Sequence, residues 1–192
     1  MKTKINGIAL GLLVLGSISA NATTLTFDEF NGTGTSYVGT YESNGFRISG
    51  GNISGIGSVY DSVFATGALF DNTGGAVINL RRVDGGAFSL NSIDLTRFPG
   101  YDSSAPINMI AYDASDIQID SFNFVLPNAT MFDTYEIGFT NVNRVSWTQA
   151  FAYHAFDNIV MDSSSVPEPA SLALLGLGLA GLGAMRRRQK SA

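Results

Sequence analysis

From Thr24 to Met161 apolar residues recur at every second position in short runs separated by Gly, Asn, Asp and Ser. This is the period of half-buried strands. The runs predict strands at Thr24–Phe27, Gly45–Ser49, Ala76–Leu80, Ala87–Thr96, Ile107–Tyr112, Ile117–Phe124, Thr134–Phe139, Val142–Thr148 and Phe156–Met161. Turn residues stand between them: Asn31-Gly32, Asn44-Gly45, Gly74-Gly75, Asp84-Gly85-Gly86 and Pro99-Gly100. Gly and Asn tolerate the left-handed backbone that tight turns require. No part of this region keeps a 3.6-residue apolar period between helix caps. The pattern therefore predicts an all-β fold, two antiparallel sheets packed as a β-sandwich or jelly roll. Residues 50–75 are glycine-rich and poorly patterned, and predict a long loop region, with room for one short strand, that could form a binding rim.

The two ends of the chain follow a different rule. Met1-Lys2-Thr3-Lys4 is a short basic segment, Ile5–Ile18 is apolar, and Ala20-Asn21-Ala22 fits the small-x-small cleavage rule. That order predicts an N-terminal signal peptide, residues 1–22, removed by signal peptidase so that the mature chain starts at Thr23. At the other end come Val166-Pro167-Glu168-Pro169, an uncharged apolar run from Ala170 to Met185, and then Arg186-Arg187-Arg188. The 16 residues of the run make roughly 24 Å of helix against a hydrocarbon core of about 30 Å. A C-terminal transmembrane helix here is short and weakened by four glycines. The arginines act as a stop on the cytoplasmic side. Pro167 and Pro169 hold the preceding segment extended, the form a protease cleft accepts. On these residues alone an ordinary membrane anchor with a proline linker remains open. The order of V-P-E-P, apolar helix and arginine triplet resembles the PEP-CTERM sorting signal. That resemblance implies capture by an exosortase, cleavage at or beside Val166–Pro169, and passage through the inner membrane to the cell surface or extracellular matrix. The implied domains are a signal peptide (1–22), a β-sandwich ectodomain (23–165) and a sorting signal (166–192).

Charge narrows the partners of the ectodomain. Residues 23–165 hold five arginines and no lysine against fifteen acids, a net charge of −10. Nucleic acid needs a basic footprint and is excluded as a partner. Neutral sugars, divalent cations and basic proteins stay compatible. The chain has no cysteine, so an oxidising compartment is tolerated but not exploited.

Several short segments of this part, Thr26-Phe27-Asp28-Glu29-Phe30, Tyr41-Glu42-Ser43-Asn44-Gly45-Phe46, Phe88–Leu95, Ile107–Tyr112 and Phe156–Met161, are similar in order to the jelly-roll ectodomains that precede PEP-CTERM tails. Those resemble galactose-binding-like, carbohydrate-binding modules. The resemblance implies the fold and a glycan ligand, and transfers no binding residue. Asp28 ends the first predicted strand and Asp157 lies near the start of the last. Terminal strands of a jelly roll lie side by side, which makes this pair a candidate calcium site. The alternative is that both carboxylates accept turn hydrogen bonds from backbone amides. Tyr112-Asp113-Ala114-Ser115-Asp116 lacks the spacing of a calcium loop and reads as a solvated turn.

Enzyme signals are thin. His154 is the one histidine, and there is no cysteine nucleophile and no G-x-S-x-G elbow. A carboxylate pair would serve a glycosidase, but short loops leave little room for a deep cleft. Trp147 shares its parity with Val145 and is expected in the core, whereas Tyr60, Tyr101 and Tyr153 are the expected surface aromatics. The reading is a non-catalytic, exported surface or matrix protein that binds exopolysaccharide or matrix partners. A purely structural adhesion protein and, last, a glycan-acting enzyme are the alternatives.

Overall fold

The computed structural model describes residues 22–100, 106–126, 131–149 and 153–163. Eleven strands account for most of them. They are β1 (Ala22–Leu25), β2 (Thr35–Ser43), β3 (Phe46–Ile56), β4 (Ala68–Asp71), β5 (Val77–Arg82) and β6 (Phe88–Arg97), followed by β7 (Pro106–Tyr112), β8 (Gln118–Val125), β9 (Asp133–Val142), β10 (Arg144–Thr148) and β11 (His154–Ser163). All pairings are antiparallel. The hydrogen-bonded order is β8-β7-β10-β5-β3-β4-β11-β6-β9, with β1 on β11 and β2 on β3.

The ladder is continuous but folds back on itself, because β3 serves both halves. Its first part, Phe46 to Ser49, pairs with β5. Its second part, Ile53 to Ile56, pairs with β4, which passes the ladder to β11 through Leu69 and Phe156. The front layer is therefore β2, β3, β5, β10, β7 and β8, and the back layer is β9, β6, β11 and β1. The two inner faces meet through T-shaped ring pairs, Phe46 on Phe88 at 5.4 Å and Trp147 on Phe156 at 5.3 Å. Ile48, Leu80 and Val145 from the front interleave with Leu90, Ile93, Leu95 and Ile159 from the back in one core. This is the sandwich that the alternating pattern predicts, since one side of each strand is apolar. A smaller aromatic cluster of Phe64, Phe70 and Phe98 closes one end of it.

Between its two parts β3 must turn, at Gly50-Gly51. A Cβ at Gly50 would collide with the Asp71 carboxylate. That carboxylate, wholly buried, accepts hydrogen bonds from the Gly51 amide at 2.6 Å and from the Asn52 and Thr73 amides at 2.9 Å. It thereby pins the bend of β3 to the end of β4. Gln149, also buried, ties this corner to β11: its Oε1 accepts from the Asp71 amide and its Nε2 donates to the His154 carbonyl.

Seven of the nine predicted strands correspond to observed ones within a few residues. Three differences are informative. The strand predicted at Gly45–Ser49 continues to Ile56, so residues 50–75 hold that extension as well as β4, the one short strand for which the expected loop left room. The segment escapes the alternating pattern because β4, Ala68–Asp71, is buried on both faces. β2 was not predicted either: Gly39, at φ +78°, sits at a register shift that breaks its alternation. The strand predicted at Val142–Thr148 is cut at its start, where Asn141 at φ +55° turns β9 into β10.

Asp71→Ala leaves three buried amides without their acceptor. The unfolding free energy in urea is expected to fall by about 3 kcal/mol or more, while Glu136→Ala at an exposed position stays within about 0.5 kcal/mol. Equal effects from the two changes would show that Asp71 does not hold the corner.

Candidate functional site

The residues singled out from the sequence fall into three groups. The first is the carboxylate pair. β1 and β11 do lie side by side, with Leu25 opposite Ile159, and the charge of Asp28 reaches Asp157. Asp28 itself is exposed, at the start of a single 3-10 turn, Asp28–Phe30. Asp157 is buried. Its Oδ1 accepts from the Asn158 amide at 2.8 Å and its Oδ2 from the Thr66 hydroxyl at 3.1 Å. Asp94 stands opposite Asp157 across the β6–β11 pair and accepts from Thr134 and Asn158 side chains. Burial, with Asp28 and Asp94 adding negative charge, pushes the Asp157 carboxyl up to about 6 against the pull of its two hydrogen bonds. Calcium takes about six to eight oxygen ligands. Asp157 meets a hydroxyl and an amide proton here, so the pair alone does not fit a calcium cage. Among the described residues no group of three or more His, Cys, Asp or Glu is disposed to hold a metal ion.

The second group is the ring side chains. Trp147 is in the core. Tyr60 is half exposed and packs edge-on against Phe98 at 5.6 Å. Tyr153 is partly buried against Phe70 and Phe98, and Tyr101 lies outside the described residues. Tyr60 and Tyr153 serve the end cluster and do not form an open stacking platform. His154 is fully buried and neither ring nitrogen has a hydrogen-bond partner among the described residues. Burial drives its pKa down to about 3, so it is neutral at physiological pH. Tyr41, packed edge-on against Phe27 at 5.0 Å, donates to Glu29 at 2.7 Å, and burial with that bond raises its hydroxyl to about 12.

The third group was not found from the sequence. The outward positions of the front layer form two polar rows. In one, Thr40, Ser49, Asn79 and Ser146 stand level from strand to strand. In the other, Glu42 is opposite Arg47 and Arg47 opposite Arg81. One step further along the β5–β10 register, beyond the Leu80–Val145 pair, Arg144 comes level with Arg81, and Tyr112 stands opposite Arg144. The cations differ in their partners. Arg47 donates to Glu42 at 2.6 Å. Arg144 lies 3.6 Å over the Tyr112 ring and donates to Asp116 at 3.0 Å and to Asn79 at 3.3 Å. Asp116 comes from the predicted solvated turn, whose shape is set by Asp113 accepting from the Ser115 and Ile117 amides. Arg81 is exposed and makes no hydrogen bond or ion pair among the described residues. Thr40, Glu42, Arg47, Ser49 and Arg81 line a shallow depression of about 410 Å³. In the sequence the only signal was the outward parity of each arginine on its strand; the register that aligns them is tertiary.

The signal-peptide residue Ala20, the sorting residues Val166, Pro167, Glu168 and Pro169, and the stop residues Arg186, Arg187 and Arg188 lie outside the described residues. Ala22 is the first residue of β1.

The two buried ionisable groups give opposite pH dependences. His154 has a folded pKa below its ordinary 6.5, so its contribution to stability is complete above pH 6.5 and is lost as pH falls toward 3. Asp157 has a folded pKa above its ordinary 3.8, so its contribution is complete below 3.8 and is lost as pH rises through about 6. Between these limits the two offset each other. Asp157→Asn is expected to steepen the fall of the melting temperature between pH 6 and pH 4, and His154→Leu to flatten or invert it. Parallel curves for wild type and both variants would contradict the assignment.

Comparison with known proteins adds the following. A search of curated proteins finds no match. Solved structures similar to the chain include a family 29 carbohydrate binding module complexed with cellulohexaose, at 14% identity and TM-score 0.48, covering 78% of this chain and 95% of that one. Another is a family 29 module from Piromyces equi, at 12% identity and TM-score 0.45, covering 79% and 95%. Residues 165–188 match the PEP-CTERM protein-sorting motif. The chain therefore carries the signal of an exosortase-sorted, secreted protein that is held transiently in a membrane.

Proposed function

We propose that the protein is delivered by exosortase processing to the cell surface or extracellular matrix, where its β-sandwich binds exopolysaccharide without catalysing its turnover. The observation that carries the sorting half is the match over residues 165–188. In this reading signal peptidase cuts after Ala22. The exosortase reads Val166, Pro167, Glu168 and Pro169 and cuts within or beside them. Arg186, Arg187 and Arg188 keep the last residues on the cytoplasmic side until then.

The glycan half is supported by the outer face of the front layer. Sugar hydroxyls are met by side-chain hydroxyls and amides in fixed positions, and Thr40, Ser49 and Asn79 offer these on rigid strands. The non-catalytic part is supported by the state of His154, which is buried and neutral. The buried carboxylates of Asp71 and Asp157, and Asp94 opposite Asp157, accept structural hydrogen bonds.

The sorting half is tested on the native protein with Pro167, Glu168 and Pro169 changed to alanine. The wild-type protein is expected to lose the tail and leave the membrane fraction, with an intact mass ending near residues 166–169. The variant is expected to retain the tail and stay in the inner membrane. If both keep the tail and both remain in the membrane, the C-terminus is an ordinary anchor.

A further inference from the structure

Among the described residues, the outer face of the front layer carries one cation that no acid offsets. Three of the five arginines in residues 23–165 stand in a single cross-strand row, Arg47, Arg81 and Arg144. Adjacent strands lie about 4.8 Å apart, and like charges facing each other across them are destabilising. The outer two are neutralised, Arg47 by Glu42 and Arg144 by Asp116. Arg81, between them, is not. The row thus retains one exposed positive charge with repulsion that an anion would relieve.

We propose that Arg81 binds the carboxylate of a uronic acid residue, so that the polysaccharide taken by this face is an acidic one. This rests on the glycan-binding reading above and names its ligand class. Three features favour a sugar carboxylate. The guanidinium is a planar fork that matches a carboxylate with two parallel hydrogen bonds. Beside the Arg47–Glu42 pair the depression presents two uncharged hydroxyls, Thr40 and Ser49, suited to the ring hydroxyls of the same residue. The depression of about 410 Å³ beside Arg81 lies within the range of about 300–1,000 Å³ for small-molecule sites. The net charge of −10 over residues 23–165 works against dense polyanions, because one free cation cannot outweigh it along a long contact. A sparsely charged glycan places its carboxylate on Arg81 and its neutral residues elsewhere. The neutralised neighbours fix the geometry: Arg144 is clamped between Tyr112, Asp116 and Asn79, so the floor beside Arg81 is rigid before any ligand arrives.

The test is calorimetric titration of the full-length chain in detergent with otherwise neutral oligosaccharides that carry a single galacturonate, glucuronate or mannuronate residue, each also as its uncharged methyl ester. At least one acid oligomer is expected to bind, and its ester about 10- to 100-fold more weakly. Arg81→Gln should bring the acid down to the level of the ester, Arg81→Lys should fall between, and added salt should weaken the wild type only. Arg81→Gln is expected to melt at or above the wild-type temperature, since it removes repulsion. Should it melt lower, Glu42→Gln decides: freeing Arg47 should tighten the acid oligomer severalfold. Equal binding of acid and ester, or acid binding unchanged in Arg81→Gln, overturns the role of Arg81 and leaves glycan binding standing. Failure of every acid and ester to bind overturns both.

Discussion

The buried carboxylate of Asp71 governs the architecture. A strand that pairs with β5 through its first part and with β4 through its second must bend, and at the bend its amides lose their ladder partners. Asp71 accepts three such amides, from Gly51, Asn52 and Thr73. A carboxylate this far from water is tolerated because charge-assisted hydrogen bonds replace its hydration. Gly50 makes room for it, since any side chain there would occupy its place. With the corner fixed, β3 can carry Phe46 and Ile48 into the core and still hand its second half to β4. The continuous ladder from β8 to β9 follows from this one crossing.

The outer face of the front layer rests on strands that the core holds firm. β3, β5 and β10 are locked by core residues on their inner side, Ile48, Ile78, Leu80, Val145 and Trp147. Their outward residues inherit that rigidity. Arg47, Arg81 and Arg144 therefore stand at strand spacing with little freedom of backbone, as a recognition surface requires. The same face would be a poor place for a loop-borne site, because nothing in it would have to move on binding.

Elsewhere the fold tolerates polar groups that lack ideal partners. His154 has none for its ring, and Asp157 lies opposite Asp94 with the charge of Asp28 near. Each costs stability in one protonation state, and the two costs fall on opposite sides of the acidic pH range. The bulge at Asn158, φ +44°, lets the Asn158 amide and side chain reach Asp157 and Asp94 respectively. The bulge is thus tied to the carboxylates it serves.

By itself the sequence determined the all-β class, most strand positions and the turns. These depend on local alternation and on residues such as Asn44-Gly45, with φ of +50° and +78°, that favour one backbone shape. It also determined the sorting signal, whose recognition depends on order along the chain and on apolarity, not on folding. β2, β4 and the second half of β3 were not legible. β4 is buried on both sides and has no alternation, and a bulge at Gly39 interrupts β2. Only the tertiary structure decided which carboxylates and cations meet. β1 and β11 are neighbours, but Asp28 lies in the 3-10 turn beyond β1, and the depth of Asp157 and its bonds to Thr66 and Asn158 depend on contacts up to 91 residues away. The row of Arg47, Arg81 and Arg144 is set by register, which no local pattern encodes. A shift of one residue would send each side chain to the opposite face of its sheet.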